Sequence, residues 1–172
     1  AAMRLDDRFE LVAGALSSDA TRAMESAKEL GVRGYESWQA LLEKEQDTVD
    51  CVVIVTPNDS HAEIATAALE AGYYVILDKP MTRTLDEAVA LAGVAQSNNS
   101  GIAMTYTYTG YPMVREMRKR ILNGEIGKVR TVSVDYRQGW LAEPIELDGQ
   151  KQATWRTDPQ KSGAGALGDI GS

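Results

Sequence analysis

The sequence predicts an α/β fold: a doubly wound parallel sheet, followed by the start of an α+β domain whose open sheet is largely antiparallel. Apolar runs without alternation at 52–55 and 73–77 read as strands covered on both faces. Helical patterns with their own start and stop signals separate each strand from the next, as parallel neighbours require. After Gly110 the pattern changes to a helix and then a strand with alternating polarity.

Residues 9–16 read as a strand. A helix over 19–30 follows, with Ala20, Ala23, Met24, Ala27 and Leu30 on its apolar side and Gly31 at its end. A short strand at 32–35 and a helix over 37–45 lead to the strand that begins near Cys51. The next helix opens with Ser60 and Glu63 at capping-box spacing, carries Ile64, Ala67, Ala68 and Ala71 on one side, and stops at Gly72. A crossover of that length makes its flanking strands parallel. The segments TPNDSH and DKP therefore leave the same carboxyl edge of the sheet, where open α/β sheets bind ligands.

Thr84 and Glu87 start another capped helix, through Ala88, Val89, Ala92 and Ala95, and 101–107 supplies a strand. Pro112 suits a first helical turn, and Val114, Met117, Arg118, Ile121 and Leu122 continue that helix to Gly124. In 128–137, Val132, Val134 and Tyr136 alternate with Thr131, Ser133 and Asp135, which predicts a strand with one wet face. Residues 138–172 read as a long irregular loop. A boundary near Thr107 divides the chain into 1–107 and 108–172.

Composition narrows the function. With 172 residues and 44% hydrophobic content the chain can bury a sizeable core. A net charge of -7 and a pI near 4.8 argue against nucleic acid as a partner, because a phosphate backbone calls for a concentrated basic surface. The basic cluster over 115–120 reads as the solvated side of a helix. The single cysteine, Cys51, excludes an internal disulfide and, as a core residue, fits a reducing compartment. No apolar run approaches the ~20 residues of a membrane span, so a cytoplasmic location and no membrane partner are expected. One histidine and one cysteine cannot build the usual metal sites, and no metal is expected.

Two groups stand at the carboxyl edge. Pro80 confines the backbone of Lys79 to extended conformations and so fixes its direction. An ammonium or amine held at such an edge can stabilise a developing oxyanion on a ligand or accept a proton from it. A simply solvated lysine is the ordinary alternative. His61 sits in the first turn of its helix, where the macrodipole favours a neutral ring; an exposed helix-start residue is the ordinary alternative there.

Read in order, TPN..H, the Asp78-Lys79-Pro80 triplet, the glycines and valine of GEIGKV and the segment GAGALGDIGS resemble the Gfo/Idh/MocA family of NAD(P)-dependent sugar and polyol dehydrogenases, over 9–172. The resemblance implies a Rossmann-like dinucleotide-binding domain, then a domain with an open sheet, with a sugar or polyol substrate between them and a homo-oligomer in the complete protein. It implies that the family's first strand and Gly-rich turn precede Ala1 and that most of the second domain follows Ser172. The literal G-x-G-x-x-G at Gly163, Gly165 and Gly168 is not that turn, because a charged loop precedes it where a buried strand is required.

Residue by residue, the family's lysine at the substrate hydroxyl falls on Lys79, and the carboxylate that binds the nicotinamide ribose falls on Asp78, an aspartate where glutamate is usual. Asp169 matches the aspartate of the family's D-x-G-x-H segment, whose histidine position lies just past Ser172; the ordinary alternative for Asp169 is a helix cap. Thr56, Pro57, Asn58 and His61 fall on the segment that lines the nicotinamide. Tyr106, Trp155 and Arg156 are candidates for the sugar pocket, with core or surface roles as alternatives. Ser17, Ser18 and Arg22 stand where an acidic residue would bind the adenosine ribose, so the cofactor is NAD(P) with a slight lean to NADP, which the charge of Asp19 opposes. The expected function is hydride transfer between a secondary alcohol and a nicotinamide, with a non-catalytic sensor on the same fold or an inactive fragment as alternatives.

Overall fold

The computed structural model describes residues 2–137, 139, 142–163 and 165–171. After a short helix α1 (Ala2–Leu5), strands and helices alternate: β1 (Ala13–Gly14), α2 (Ala20–Leu30), β2 (Arg33–Gly34), α3 (Trp38–Lys44), β3 (Cys51–Ile54), α4 (His61–Glu70), β4 (Tyr74–Leu77), α5 (Leu85–Ser97) and β5 (Ile102–Met104). Every pairing is parallel, with Ala13 opposite Arg33, Cys51 opposite Tyr74 and Val75 opposite Ile102. The strands form two sheets, β1-β2 and β3-β4-β5, and among the described residues no ladder joins β1 to β3.

The core lies between the larger sheet and its helices. Ile54, Val75 and Leu77 from the strands meet Ile64, Ala65, Ala68 and Leu69 from α4 and Leu91 from α5, all buried. The alanines of α4 let its backbone approach the sheet, while Leu69 and Leu77 fill the space with no exposed surface; each buried leucine contributes about 1.5–3 kcal/mol. Tyr73 is buried with its hydroxyl donating to the Leu42 carbonyl at 2.8 Å, which fixes α3 against the start of β4.

Helix starts show which sequence signals act. At α5 the box is complete: the Glu87 amide donates to Thr84 Oγ1 at 3.3 Å, and the Thr84 amide donates to the Glu87 carboxylate at 3.0 Å. At α4 the expected box is absent. A 3-10 turn, Asn58–Ser60, runs straight into the helix and leaves Ser60 with helical dihedrals, φ -102° and ψ -7°. A capping side chain needs extended backbone to reach the following amides. The Ser60 hydroxyl instead lies 2.7 Å from Thr56 Oγ1 and 2.8 Å from the Pro57 carbonyl.

Three further expectations differ. The strands expected over 9–16 and 101–107 shorten to Ala13–Gly14 and Ile102–Met104, because each has a single neighbour in its sheet and its ladder ends where that pairing ends. The strand expected over 128–137 does not form: no ladder takes it up among the described residues, and Val132 and Val134 remain 76% and 84% exposed. It follows α6 (Pro112–Leu122), whose proline does occupy the first turn. The loop expected over 138–172 contains α7 (Lys151–Arg156), α8 (Pro159–Ser162) and α9 (Gly165–Ile170).

A buried carboxylate ties the small sheet to α3. Glu45, 1% exposed, receives Arg33 Nε at 2.6 Å and Nη2 at 2.7 Å and the Tyr35 hydroxyl at 2.7 Å, together with the Thr48 hydroxyl. These donors, the Arg33 guanidinium first, hold its carboxyl down from an ordinary 4.5 to about 2. A lowered folded-state value means stability that is complete above pH 4.5 and is lost as pH falls toward 2. Glu45→Gln should lower the melting temperature at neutral pH and flatten the melting-temperature profile between pH 4.5 and 2; an unchanged acid profile would show that the network carries no linkage.

Candidate active site

The turn after β4 is the hub of the site. Leu77 anchors its start in the core, and the next residue, Asp78, accepts from the Lys79 amide at 3.0 Å and from the Thr105 hydroxyl, which follows β5. Asp78 thus sets the backbone from which Lys79 departs. The Lys79–Pro80 peptide is cis. Lys79 Nζ reaches α9, where it donates to the Asp169 carboxylate and, at 2.5 Å, to the Asp169 carbonyl. The two side chains are 27% and 20% exposed, so the ion pair is shielded but open to a ligand from one side. Arg156 Nη2 lies 3.6 Å from the same carboxylate.

A cavity of about 190 Å³ opens beside this pair, lined by Lys79, Thr105, Tyr106, Thr107, Tyr108, Tyr111 and Asp169. It is smaller than the ~300–1,000 Å³ usual for small-molecule sites, so it can enclose the reacting end of a ligand rather than the whole. The Tyr108 ring meets the Tyr111 ring edge-on at 5.6 Å, and its hydroxyl lies 3.0 Å from that of Tyr136. That hydrogen bond, with burial and the nearby charge of Asp169, raises the Tyr108 phenol above its ordinary value. A larger open groove of about 390 Å³ lies between α4 and α5; its charged lining residues are Glu63, Glu70 and Glu87, the last already paired with Arg83 at 3.1 Å.

The expected site residues separate into groups. Lys79, Asp169, Tyr106 and Arg156 come together around one carboxylate and one cavity. Asp169 lies within α9, not at a cap. The side chain of Trp155 lies outside the described residues. Thr56, Pro57, Asn58 and His61 follow β3, but Asn58 and His61 point inward. Asn58 is 7% exposed and donates to the Ser162 carbonyl of α8 at 3.2 Å. His61 is 1% exposed, with Nδ1 2.9 Å from the Pro80 carbonyl and Nε2 2.9 Å from the Thr56 carbonyl. Ser17, Ser18 and Arg22 gather at the start of α2, where Asp19 caps the helix by accepting from the Arg22 amide at 2.8 Å and the Ser17 hydroxyl accepts from the Asp19 amide at 3.1 Å.

Tyr108, Tyr111 and Thr105 are site residues that the sequence reading missed. The run TYTYTGY follows β5, the strand next to β4, and parallel neighbours deliver their following residues to the same edge. That adjacency was the available signal. Among the described residues no cluster of three or more His, Cys, Asp or Glu could hold a metal, and no helix is long and apolar enough to cross a membrane.

Gly163 sets how closely α8 and α9 approach the hub. Its φ of +66° disfavours a side chain, and an added Cβ would lie 2.6 Å from the Arg83 carbonyl oxygen, where the Arg83 guanidinium also reaches the Gln160 carbonyl at 3.3 Å. Gly163→Ala should cost ~1–3 kcal/mol and increase protease cleavage within 151–171; an unchanged melt and digestion pattern would show that the close approach is dispensable.

Comparison with known proteins identifies the family and the fold. Residues 1–106 match the family model described as GFO_IDH_MocA, an oxidoreductase family with an NAD-binding Rossmann fold, and residues 114–172 match the GFO/IDH/MocA C-terminal domain. An uncharacterised oxidoreductase of Bacillus subtilis, YfiI, is 36% identical over 98% of this chain and 45% of its own length. Levoglucosan dehydrogenase of Pseudarthrobacter phenanthrenivorans is 34% identical over 86% of this chain and 36% of its own. The crystal structure of an inositol dehydrogenase homologue from Azotobacter vinelandii, complexed with NAD+, superposes with a TM-score of 0.89 at 39% identity, over 96% of this chain and 44% of that one. The chain thus spans less than half the length of these relatives. With both family models matched in order along one polypeptide, the chain belongs to the Gfo/Idh/MocA oxidoreductase family.

Proposed function

We propose that this chain is part of a nicotinamide-dependent dehydrogenase acting on a secondary alcohol of a sugar or cyclic polyol. The observation that carries the reading is the Lys79–Asp169 ion pair at the wall of a cavity on the carboxyl edge of a parallel sheet. Relatives whose names include levoglucosan dehydrogenase and an inositol dehydrogenase homologue support the substrate class.

The residues present fit the cofactor. The start of α2 offers hydroxyls at Ser17 and Ser18 and a guanidinium at Arg22, which suit the adenosine ribose and a 2′-phosphate. The turn after β3 leaves Thr56 and Pro57 available beside the reacting end, and Asp78 supplies a carboxylate next to Lys79. When bound, the cofactor supplies the acceptor for the hydride leaving the substrate carbon, or its donor in reverse. Lys79 and Asp169 share the handling of the hydroxyl proton: the ammonium of Lys79 holds the substrate oxygen and stabilises the charge developing on it, and the Asp169 carboxylate paired with it accepts the proton or returns it. Tyr106, Tyr108 and Tyr111 present aromatic faces to the ring, and Thr105 and Thr107 offer hydroxyls to the polyol. Arg156, close to Asp169, keeps a second cation at the carboxylate when the substrate draws Lys79 away. The lean is to NADP, because Ser17, Ser18 and Arg22 replace an acid. Residues 1–107 form the cofactor part and 108–172 the start of the substrate part.

The test is a fluorescence titration with NADH and NADPH, followed by assay against sugars and cyclic polyols. Saturable binding, tighter for NADPH, and turnover of at least one polyol are expected. Tighter NADH would overturn the lean, and cofactor binding without turnover across the panel would favour a sensor. Lys79→Ala should lower kcat by ~10²–10⁴-fold with the cofactor Kd within ~3-fold of wild type; unchanged turnover would remove Lys79 from the chemistry.

A further inference from the structure

We propose that His61 is a positioning residue that joins the cofactor-side turn after β3 to the lysine-bearing turn after β4, so that the two parts of the site keep a fixed separation. The proposal rests on the dehydrogenase reading above.

The ring opens α4 yet is 1% exposed, and its nitrogens lie 2.9 Å from two backbone carbonyls, Pro80 through Nδ1 and Thr56 through Nε2. Both partners are acceptors only, so the ring acts toward them as a donor; the neutral imidazole has one N–H to give and the charged form two. With both nitrogens facing carbonyls, the ring has no polar edge left for a ligand. Its placement explains its burial. The Thr56 carbonyl belongs to the peptide that enters Pro57, and the Pro80 carbonyl lies one residue beyond Lys79. An N–H given to either carbonyl fixes that turn to the start of α4, so the ring holds one turn through the single N–H of its neutral form and bridges both when each nitrogen carries a proton. Asn58 does the same on the neighbouring side, tying the turn after β3 to α8 and hence to the segment that carries Asp169. A small shift between reacting groups can cost ~10²-fold in rate, which is the scale on which such a tie acts.

The two contacts can be separated. An asparagine amide nitrogen replaces Nδ1, so His61→Asn keeps the tie to Pro80 and releases Thr56; a glutamine amide replaces Nε2, so His61→Gln keeps Thr56 and releases Pro80. His61→Asn should raise KM for the nicotinamide cofactor ~10-fold with kcat within ~3-fold, whereas His61→Gln should lower kcat ~10–100-fold with cofactor KM little changed. Parallel loss of both constants in both variants, tracking the melting temperature, would overturn the proposal in favour of a purely structural role.

Nitrogen NMR of the imidazole supplies a readout independent of activity, and the chain has a single histidine to observe. A ring N–H protected from exchange with water is expected. A rapidly exchanging ring in an active protein would overturn the positioning role and leave the dehydrogenase reading standing. A protected ring in a folded protein that neither binds cofactor nor turns over a polyol would overturn both.

Discussion

An ion pair between residues 90 positions apart makes the site one object. Lys79 leaves the end of β4, the middle strand of its sheet, while Asp169 arrives on a short helix after a long excursion through α6 and irregular chain. The sheet gives Lys79 a rigid origin through Leu77 below and Asp78 at its own amide. The helical segment is held by backbone acceptors, Ser162 to Asn58 and Gln160 to Arg83, and by the close approach of Gly163. Several tethers to the segments after β3 and β4 supplement the small core that three helices of six residues or fewer can build for themselves.

The sequence made the sheet and its carboxyl edge legible because the signals there are local and redundant. Unbroken apolar runs, a helix-length crossover and terminal glycines all pointed the same way, and the parallel register of β3, β4 and β5 agrees with them. The Thr84 box formed because its backbone is extended; the Ser60 box, with the same spacing, failed because a preceding turn had already committed Ser60 to helical angles. Spacing alone does not report the dihedral on which capping depends. The pattern at 128–137 has the right alternation but no partner among the described residues, and alternation describes what a strand would show to two faces, not whether a ladder exists.

The candidate site was legible where a residue's position in a turn decided its use. Lys79 and Asp169 followed from that logic and from family motifs. Less visible was the direction of His61 and Asn58, which belong to the same turn but are spent on carbonyls of distant segments. The Glu45 network escaped for a related reason: two of its donors, Arg33 and Tyr35, lie at β2, ten or more residues before the carboxylate, and the third, Thr48, follows it, and only folding brings them together. Long-range polar partnerships leave little periodic trace.

The tyrosines over 106–111 line the same cavity as the ion pair but belong to a different connection, the one between β5 and α6. Under the proposed function, proton handling and ring recognition fall to separate pieces of chain. Thr105 at the head of this connection is tied to Asp78, so the part free to vary is 106–111, whose side chains can change while that tie to the lysine-bearing turn is kept. Such a division lets one scaffold diversify its substrates by rewriting a single short connection, a route to new specificity that leaves the inherited chemistry intact.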